Sequence, residues 1–174
     1  MKSGFIAIVG RPNVGKSTLM NKLIKEKVAI VSDKAGTTRD QIKGIINIGE
    51  NQYIFMDTPG IHKPKHLLGE HMTNVALDTL NNADLILFML DGTQGISTGD
   101  MFVNENAKNS NTPIVLIINK IDKMTDEDIA LKLEEVKEKL GEFAGIITMT
   151  GEYGIGVHKI FEISEKYLSN DMWF

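Results

Sequence analysis

The chain has 174 residues, enough for one domain with a substantial core, and it has no cysteine, which excludes disulfides and thiolate metal sites and fits a reducing compartment. With 42% hydrophobic and 24% charged residues it has the composition of a globular protein, and no apolar run is long enough to span a bilayer. A net charge of −4 speaks against a domain that holds RNA mainly through its own phosphate contacts.

Met1-Lys2-Ser3 leads straight into an apolar run, so no signal peptide is expected. That run, "FIAIVG" (Phe5–Gly10), is short and nearly continuous, as in a strand buried on both faces. It passes into "GRPNVGKST", in which Gly10, Gly15, Lys16 and Ser17 stand at the spacing of a phosphate-binding loop. The glycines let backbone N–H groups turn toward phosphates. Lys16 brings positive charge to the β/γ region, and the Ser17 hydroxyl can ligate Mg²⁺. Arg11, Pro12, Asn13, Val14 and Thr18 complete the stretch that would wrap the phosphates. A helix is expected over Lys16–Glu26.

Lys27–Gln41 is long and irregular, a pattern usually tied to function or mobility. "IKGIINIG" (Ile42–Gly49) reads as a weaker strand. The Gly49-Glu50-Asn51 break suggests an antiparallel hairpin with "YIFMD" (Tyr53–Asp57). Asp57 ends that strand and opens "DTPG" (Asp57-Thr58-Pro59-Gly60). A carboxylate there can hold Mg²⁺ through water. Gly60 lets the backbone approach a γ-phosphate, so its N–H can report whether that phosphate is present. Ile61 follows, inside a second irregular stretch, Thr58–Leu68. His62, His66 and His71 cluster there, but Pro64 disfavours the helix that a His62/His66 zinc pair would need. Lys63 and Lys65 read as solvated loop charges.

Helices are expected over Gly69–Asn81, Thr98–Asn109, Asp126–Leu140 and Gly156–Leu168, between strands "LILFMLD" (Leu85–Asp91), "PIVLIIN" (Pro113–Asn119) and "GIITM" (Gly145–Met149). Thr125 is a candidate N-cap for Asp126–Leu140, with Ile129, Leu133, Val136 and Leu140 on the inward face. This alternation predicts an α/β doubly wound fold: a mostly parallel six-stranded sheet with one antiparallel strand, helices on both faces, and ligands at the carboxyl ends of the strands.

"NKID" (Asn119-Lys120-Ile121-Asp122) stands at such an end, about 100 residues after the phosphate loop. Guanine offers two parallel donors that adenine lacks, and a carboxylate such as Asp122 accepts both. A site built for that pair rejects the wrong base by roughly 10⁴-fold. Asn119 can brace the site and contact the base, and the Lys120 stem can lie over the ring.

The ordered set "GRPNVGKS", "GTTRD", "DTPG" and "NKID" resembles the TrmE-Era-Der branch of translation-linked GTPases over nearly the whole chain. Within that branch "DTPGIHKPKHLLGEHM" resembles the second switch of the Era type. The resemblance implies the P-loop NTPase G-domain fold, GTP and GDP as ligands, Mg²⁺, and slow GTP hydrolysis. It implies that Thr38 ligates Mg²⁺ and binds the γ-phosphate. It also implies K⁺ beside the phosphates, held by Asn13 and by backbone carbonyls of Ser32 and Lys34, where the ion's charge would act as an arginine finger does. Lys16, Thr38, Gly60 and Asn13 are then the residues expected to serve catalysis.

The family carries a serine-alanine signature after the sixth strand; here Thr150-Gly151-Glu152 occupies that place, with Gly151 able to offer an N–H to the base. Ras-like enzymes orient water with a glutamine where this chain has Ile61, and neither Arg11 nor Arg39 has a finger role. Partners implied are the small ribosomal subunit and 16S rRNA, reached mainly through a KH-type domain that does not fit in this chain. A cytoplasmic location, with peripheral association at the inner face of the membrane, is implied for the longer protein. Residues 1–168 are expected to form the G domain, and residues 169–174 to begin a linker. Two alternatives stand beside this reading: the G domain of a tRNA-modification GTPase, and a nucleotide-locked binding module with negligible hydrolysis.

Overall fold

The computed structural model describes residues 2–26, 29–30, 42–58 and 74–169. Strand β1 (Lys2–Val9) leads through the phosphate-binding loop into helix α1 (Lys16–Glu26). Then come β2 (Ala29–Ile30), β3 (Ile42–Ile48), β4 (Asn51–Asp57), α2 (Asn74–Asn82), β5 (Leu85–Asp91), α3 (Thr98–Asn109), β6 (Ile114–Asn119), α4 (Asp126–Lys139), β7 (Gly145–Thr148) and α5 (His158–Ser164). The sheet order is β2-β3-β4-β1-β5-β6-β7, and β3 alone runs antiparallel to its neighbours.

All six expected strands are present. A two-residue edge strand, Ala29–Ile30, is added inside a stretch that reads as irregular, paired to Ile45 and Ile46. The β3–β4 hairpin closes over Gly49-Glu50, with Gly49 at φ 59, the left-handed region that glycine enters without strain. Helix α2 is described from Asn74 on, so the first part of the expected Gly69–Asn81 helix lies outside the described residues. The last helix is shorter than Gly156–Leu168: α-helical geometry holds over His158–Ser164 and tightens to a 3₁₀ turn at Glu165–Tyr167.

The inner strands carry unbroken apolar runs because both faces are covered. On β1, Ile6 and Ile8 pack with Leu19 and Leu23 of α1 and with Ile160 and Phe161 of α5. Ala7 and Val9 face the other way, into the layer of α2, α3 and α4, with Leu80, Val103 and Val136. Period-2 alternation thus supplies two cores from one strand.

Helix α4 departs from its expected face. Val136 and Leu140 are buried, but Leu133 is exposed and Lys132 points inward instead. The Lys132 ammonium donates to Gln94 O at 2.6 Å and to Glu135 Oε1 at 2.8 Å, so the stem packs as an apolar chain while its charge is paired. Thr125 caps the helix as expected: its hydroxyl accepts from the Asp128 N–H and the Asp128 carboxylate accepts from the Thr125 N–H.

Candidate functional site

Three parallel strands end on polar residues at the same edge of the sheet: β4 on Asp57 and, on the other side of β1, β5 on Asp91 and β6 on Asn119. The phosphate-binding loop leaves β1 between the first two. That edge is where a doubly wound sheet binds its ligand.

The loop holds two unusual backbone conformations, Asn13 at φ 70 and Gly15 at φ 105. Asparagine tolerates the left-handed region better than most side chains. At Gly15 nothing larger than hydrogen fits, because a Cβ would stand 2.2 Å from Asn119 Nδ2. Gly10 is similarly confined, with a Cβ position 2.9 Å from Val14 Cγ2 and 3.0 Å from Met89 O. Helix α1 begins at Lys16 directly after this tight turn, and the free N–H groups of a helix start are suited to an anion. Val14 is buried and anchors the loop, while Pro12, Asn13, Ser17 and Thr18 are exposed.

Lys16 Nζ donates to Asp57 Oδ1 at 2.7 Å, bringing together the two charges that the sequence assigns to phosphate and Mg²⁺. The same oxygen accepts from the Thr58 N–H at 2.9 Å, and the buried Thr58 hydroxyl donates to Ile8 O at 3.0 Å, fixing the start of "DTPG" against β1. A serine hydroxyl and a carboxylate are hard oxygen donors of the kind Mg²⁺ takes. The residues present therefore fit a Mg²⁺-bound phosphate chain. Thr38, Ser32, Lys34, Pro59, Gly60 and Ile61 lie outside the described residues, as do His62, His66 and His71.

Arg11 turns away from the phosphate side. Its Nε donates to Asp100 Oδ1 at 3.1 Å and its Nη2 to Gln94 Oε1. Asp100 also accepts from the Ser97 N–H and hydroxyl in the capping box of α3. The guanidinium thus ties the loop to the start of α3.

At the base end the buried Asn119 amide is used twice within the fold. Its Nδ2 donates to Val14 O at 3.0 Å, and its Oδ1 accepts from the Gly151 N–H at 2.9 Å. Asn119 therefore joins the phosphate loop to the turn at Gly151, with both halves of the amide, expected also to contact the base, engaged within the fold. The Gly151 N–H, read from sequence as available to the base, goes to this brace instead. Asp122 is exposed, and its carboxylate accepts from the Thr150 hydroxyl at 3.2 Å; that hydroxyl also accepts from the Asp122 N–H at 3.2 Å. Thr150 in turn is fixed by paired backbone bonds to Ile155, 2.9 and 3.1 Å, which close the turn carrying Gly151 and the exposed Glu152. The unfamiliar "TGE" sequence thus still supplies a hydroxyl to orient the base-reading carboxylate. Ile121 begins a 3₁₀ turn with its N–H on Met149 O at 3.2 Å.

Lys120 stands in the left-handed region at φ 67, and its Nζ donates to Asp91 Oδ2 at 2.8 Å. Burial pushes the Asp91 carboxyl up, but hydrogen bonds from Lys120 and Thr93 outweigh it and hold the group below the usual carboxylate range. Asp91, Thr93, Gln94 and Asp100 are contributors that sequence reasoning missed. The available signal was the strand end: "LILFMLD" finishes on a carboxylate just as "YIFMD" does.

No described helix is long and apolar enough to cross a membrane. Among the described residues no cluster of three or more His, Asp or Glu side chains forms a metal site.

The sequence pattern of the family described as 50S ribosome-binding GTPase matches residues 5–120. The chain is 58% identical over 171 residues to GTPase Era of Fusobacterium nucleatum, covering 98% of this chain and 58% of that protein. Its fold superimposes on a crystal structure of Era in complex with MgGDPNP and a segment of 16S ribosomal RNA with a TM-score of 0.80 at 41% identity, covering 100% of this chain and 59% of that one. A crystal structure of an Aquifex aeolicus Era variant bound to GDP·AlF4⁻ matches with a TM-score of 0.79 at 42% identity, covering 99% of this chain and 59% of that one. The chain thus spans a little under three fifths of the length of these relatives. With a tight glycine-rich loop, the Lys16–Asp57 pair and the Asn119–Asp122 segment on one sheet edge, the chain belongs to the 50S ribosome-binding GTPase family and is similar, along nearly its whole length, to part of Era.

Proposed function

We propose that this chain is the GTP-binding and GTP-hydrolysing switch domain of a longer Era-type protein. The observation that carries the proposal is the Asn119 brace, which joins the phosphate-binding loop at Val14 to the base-side turn at Gly151. One side chain thereby sets the distance between the two ends of a guanine nucleotide site. Asp122, oriented by Thr150, selects guanine. Lys16, the loop N–H groups, and Mg²⁺ held by Ser17, Thr38 and Asp57 neutralise the phosphates. Gly60 follows the γ-phosphate. Bound Mg²⁺ supplies charge neutralisation to the phosphoryl group being transferred.

Hydrolysis is slow in this reading, because Ile61 cannot orient water. K⁺ bound near Asn13, with carbonyls of Ser32 and Lys34, supplies the missing charge. Asn13 is exposed on the loop in a left-handed conformation, compatible with that role. We assign residues 1–168 to the switch domain and residues 169–174 to the start of a link toward a KH-type RNA-binding domain. The longer protein would act in small-subunit assembly and 16S rRNA maturation in the cytoplasm, with peripheral membrane association as a further part of the proposal. The similarity to Era over 98% of the chain favours this over a tRNA-modification GTPase.

The test is Mg²⁺-dependent binding of GTP, GDP and ATP, followed by single-turnover hydrolysis in matched KCl and NaCl. Guanine nucleotides should bind and ATP should not. Turnover should be faster in K⁺, by about a hundredfold if the ion contributes about 2.7 kcal/mol, and Asn13→Ala should remove the difference. Equal GTP and ATP affinity overturns the base assignment. Binding without turnover in either salt supports the nucleotide-locked module instead.

A further inference from the structure

Asp91 ends β5, one strand away from the phosphate loop, and its side chain is only 1% exposed. A buried carboxylate is costly unless it is fully paired. This one accepts from the Thr93 N–H at 2.9 Å, the Thr93 hydroxyl at 2.5 Å and Lys120 Nζ at 2.8 Å. The backbones are joined as well, since the Gly92 N–H donates to Asn119 O at 2.9 Å. Gly92 is packed so closely that a Cβ there would meet Met124 Sδ at 2.5 Å and Asn119 O at 2.9 Å. The segment after β5 is thus bolted to the base-reading loop at two successive residues.

Lys120 is one of two described non-glycine residues with positive φ, a conformation that persists in such a residue only when its surroundings hold it. We propose that Asp91 is a positioning residue for guanine binding: it tethers the Lys120 ammonium, so that this lysine offers the base its hydrocarbon stem and not its charge. The inference rests on the reading of Asn119–Asp122 as the base site.

The physical reason is entropy and charge together. A free lysine has several rotatable bonds whose freedom is lost when it packs on a ligand. A tether on a rigid strand end removes that loss before the ligand arrives. It also gives the buried carboxylate its cation.

The experiment is a GDP and ADP titration with parallel thermal denaturation of wild type, Asp91→Asn, Lys120→Met and the double variant. Wild type preferring GDP confirms the base-site reading; no preference sinks that reading, independently of the tether. Asp91→Asn should weaken GDP about tenfold, because the lysine is freed. Lys120→Met should weaken it at least as much, because it strands a buried carboxylate. The double variant should return to within about threefold of wild type, since methionine keeps an unbranched stem and a neutral amide needs no cation. A merely structural pair would lower the melting temperature of Asp91→Asn while leaving the GDP affinity of the folded protein at the wild-type value. Wild-type GDP affinity in Asp91→Asn overturns the proposal. So does a double variant as weak as Lys120→Met, which would make the ammonium itself the ligand contact. Should Asp91→Asn not fold, Thr93→Val at an exposed position removes one of the carboxylate's donors. It should weaken GDP about two- to threefold, and no change there also overturns the proposal.

Discussion

At the base end of the site, Asn119 spends both halves of its amide inside the fold, on Val14 O and the Gly151 N–H, and Thr150 holds Asp122. At the phosphate end, Lys16 and Asp57 hold each other across one 2.7 Å contact, with side chains 23% and 28% exposed. The base end is scaffold as much as site: the two Asn119 hydrogen bonds are buried, and leaving their partners unsatisfied costs stability. The phosphate end is a pair of partly solvated charges that can exchange partners at little cost to the fold. In the proposed function, base selection would be built in before any ligand binds, while phosphate sensing would be left to groups free to re-pair. Stability measurements can separate the two ends, and the variants that do so rank by how deeply each residue is built in.

Gly15→Ala should cost the most. Its Cβ would displace the Asn119 amide from 2.2 Å away, and φ 105 is a strained place for alanine. Loss of the brace plus about 1–3 kcal/mol of backbone strain gives a destabilisation of roughly 3–6 kcal/mol, with GDP binding abolished. Chemical denaturation beside a GDP titration reads both. A variant of wild-type stability would show that the loop and β6 are not in such close contact.

Asn119→Ala should come next. It leaves Val14 O and the Gly151 N–H buried without partners, at about 2–4 kcal/mol in total. The same denaturation experiment checks it, and a loss under 1 kcal/mol would mean that the brace is not part of the scaffold. Thr150→Val should be milder, at about 1 kcal/mol of stability and several-fold in GDP affinity, because Asp122 is exposed and water can replace the lost hydroxyl. Thr150→Ser should behave as wild type in both measurements, since it keeps the oxygen.

The same contrast explains what was legible in the sequence. Strands such as Leu85–Asp91 and Ile114–Asn119 read correctly because two helical layers cover the sheet and every position before the last is apolar. The phosphate loop and "NKID" stand out in the sequence because such chemistry needs fixed residues at fixed spacing, and the structure places both at the same edge of the sheet. Pairings between distant segments carried no such mark. That Gly151 serves Asn119, 32 residues away, follows from how β6 and β7 lie side by side. The inward turn of Lys132 was hidden for a similar reason: its acceptor is the Gln94 carbonyl, 38 residues away, which no helical periodicity could announce. The edge strand Ala29–Ile30 has only two paired residues and so no periodic signature.

Lys16→Ala should have the smallest effect on the fold and one of the largest on the ligand. Among the described residues its Nζ is paired with Asp57, whose side chain is 28% exposed and so stays partly solvated when the lysine is removed. Exposed and half-exposed ion pairs contribute little, so the change in stability should stay within about 1 kcal/mol. The site loses the cation that meets the β/γ-phosphates, so Mg²⁺-dependent GTP affinity should fall by at least about a hundredfold. Denaturation and a GTP titration on the same preparation separate the two quantities. A stability loss of 2 kcal/mol or more would place Lys16 in the scaffold beside Asn119 and erase the distinction between the two ends. Unchanged stability with GTP affinity intact would remove Lys16 from the phosphate site altogether.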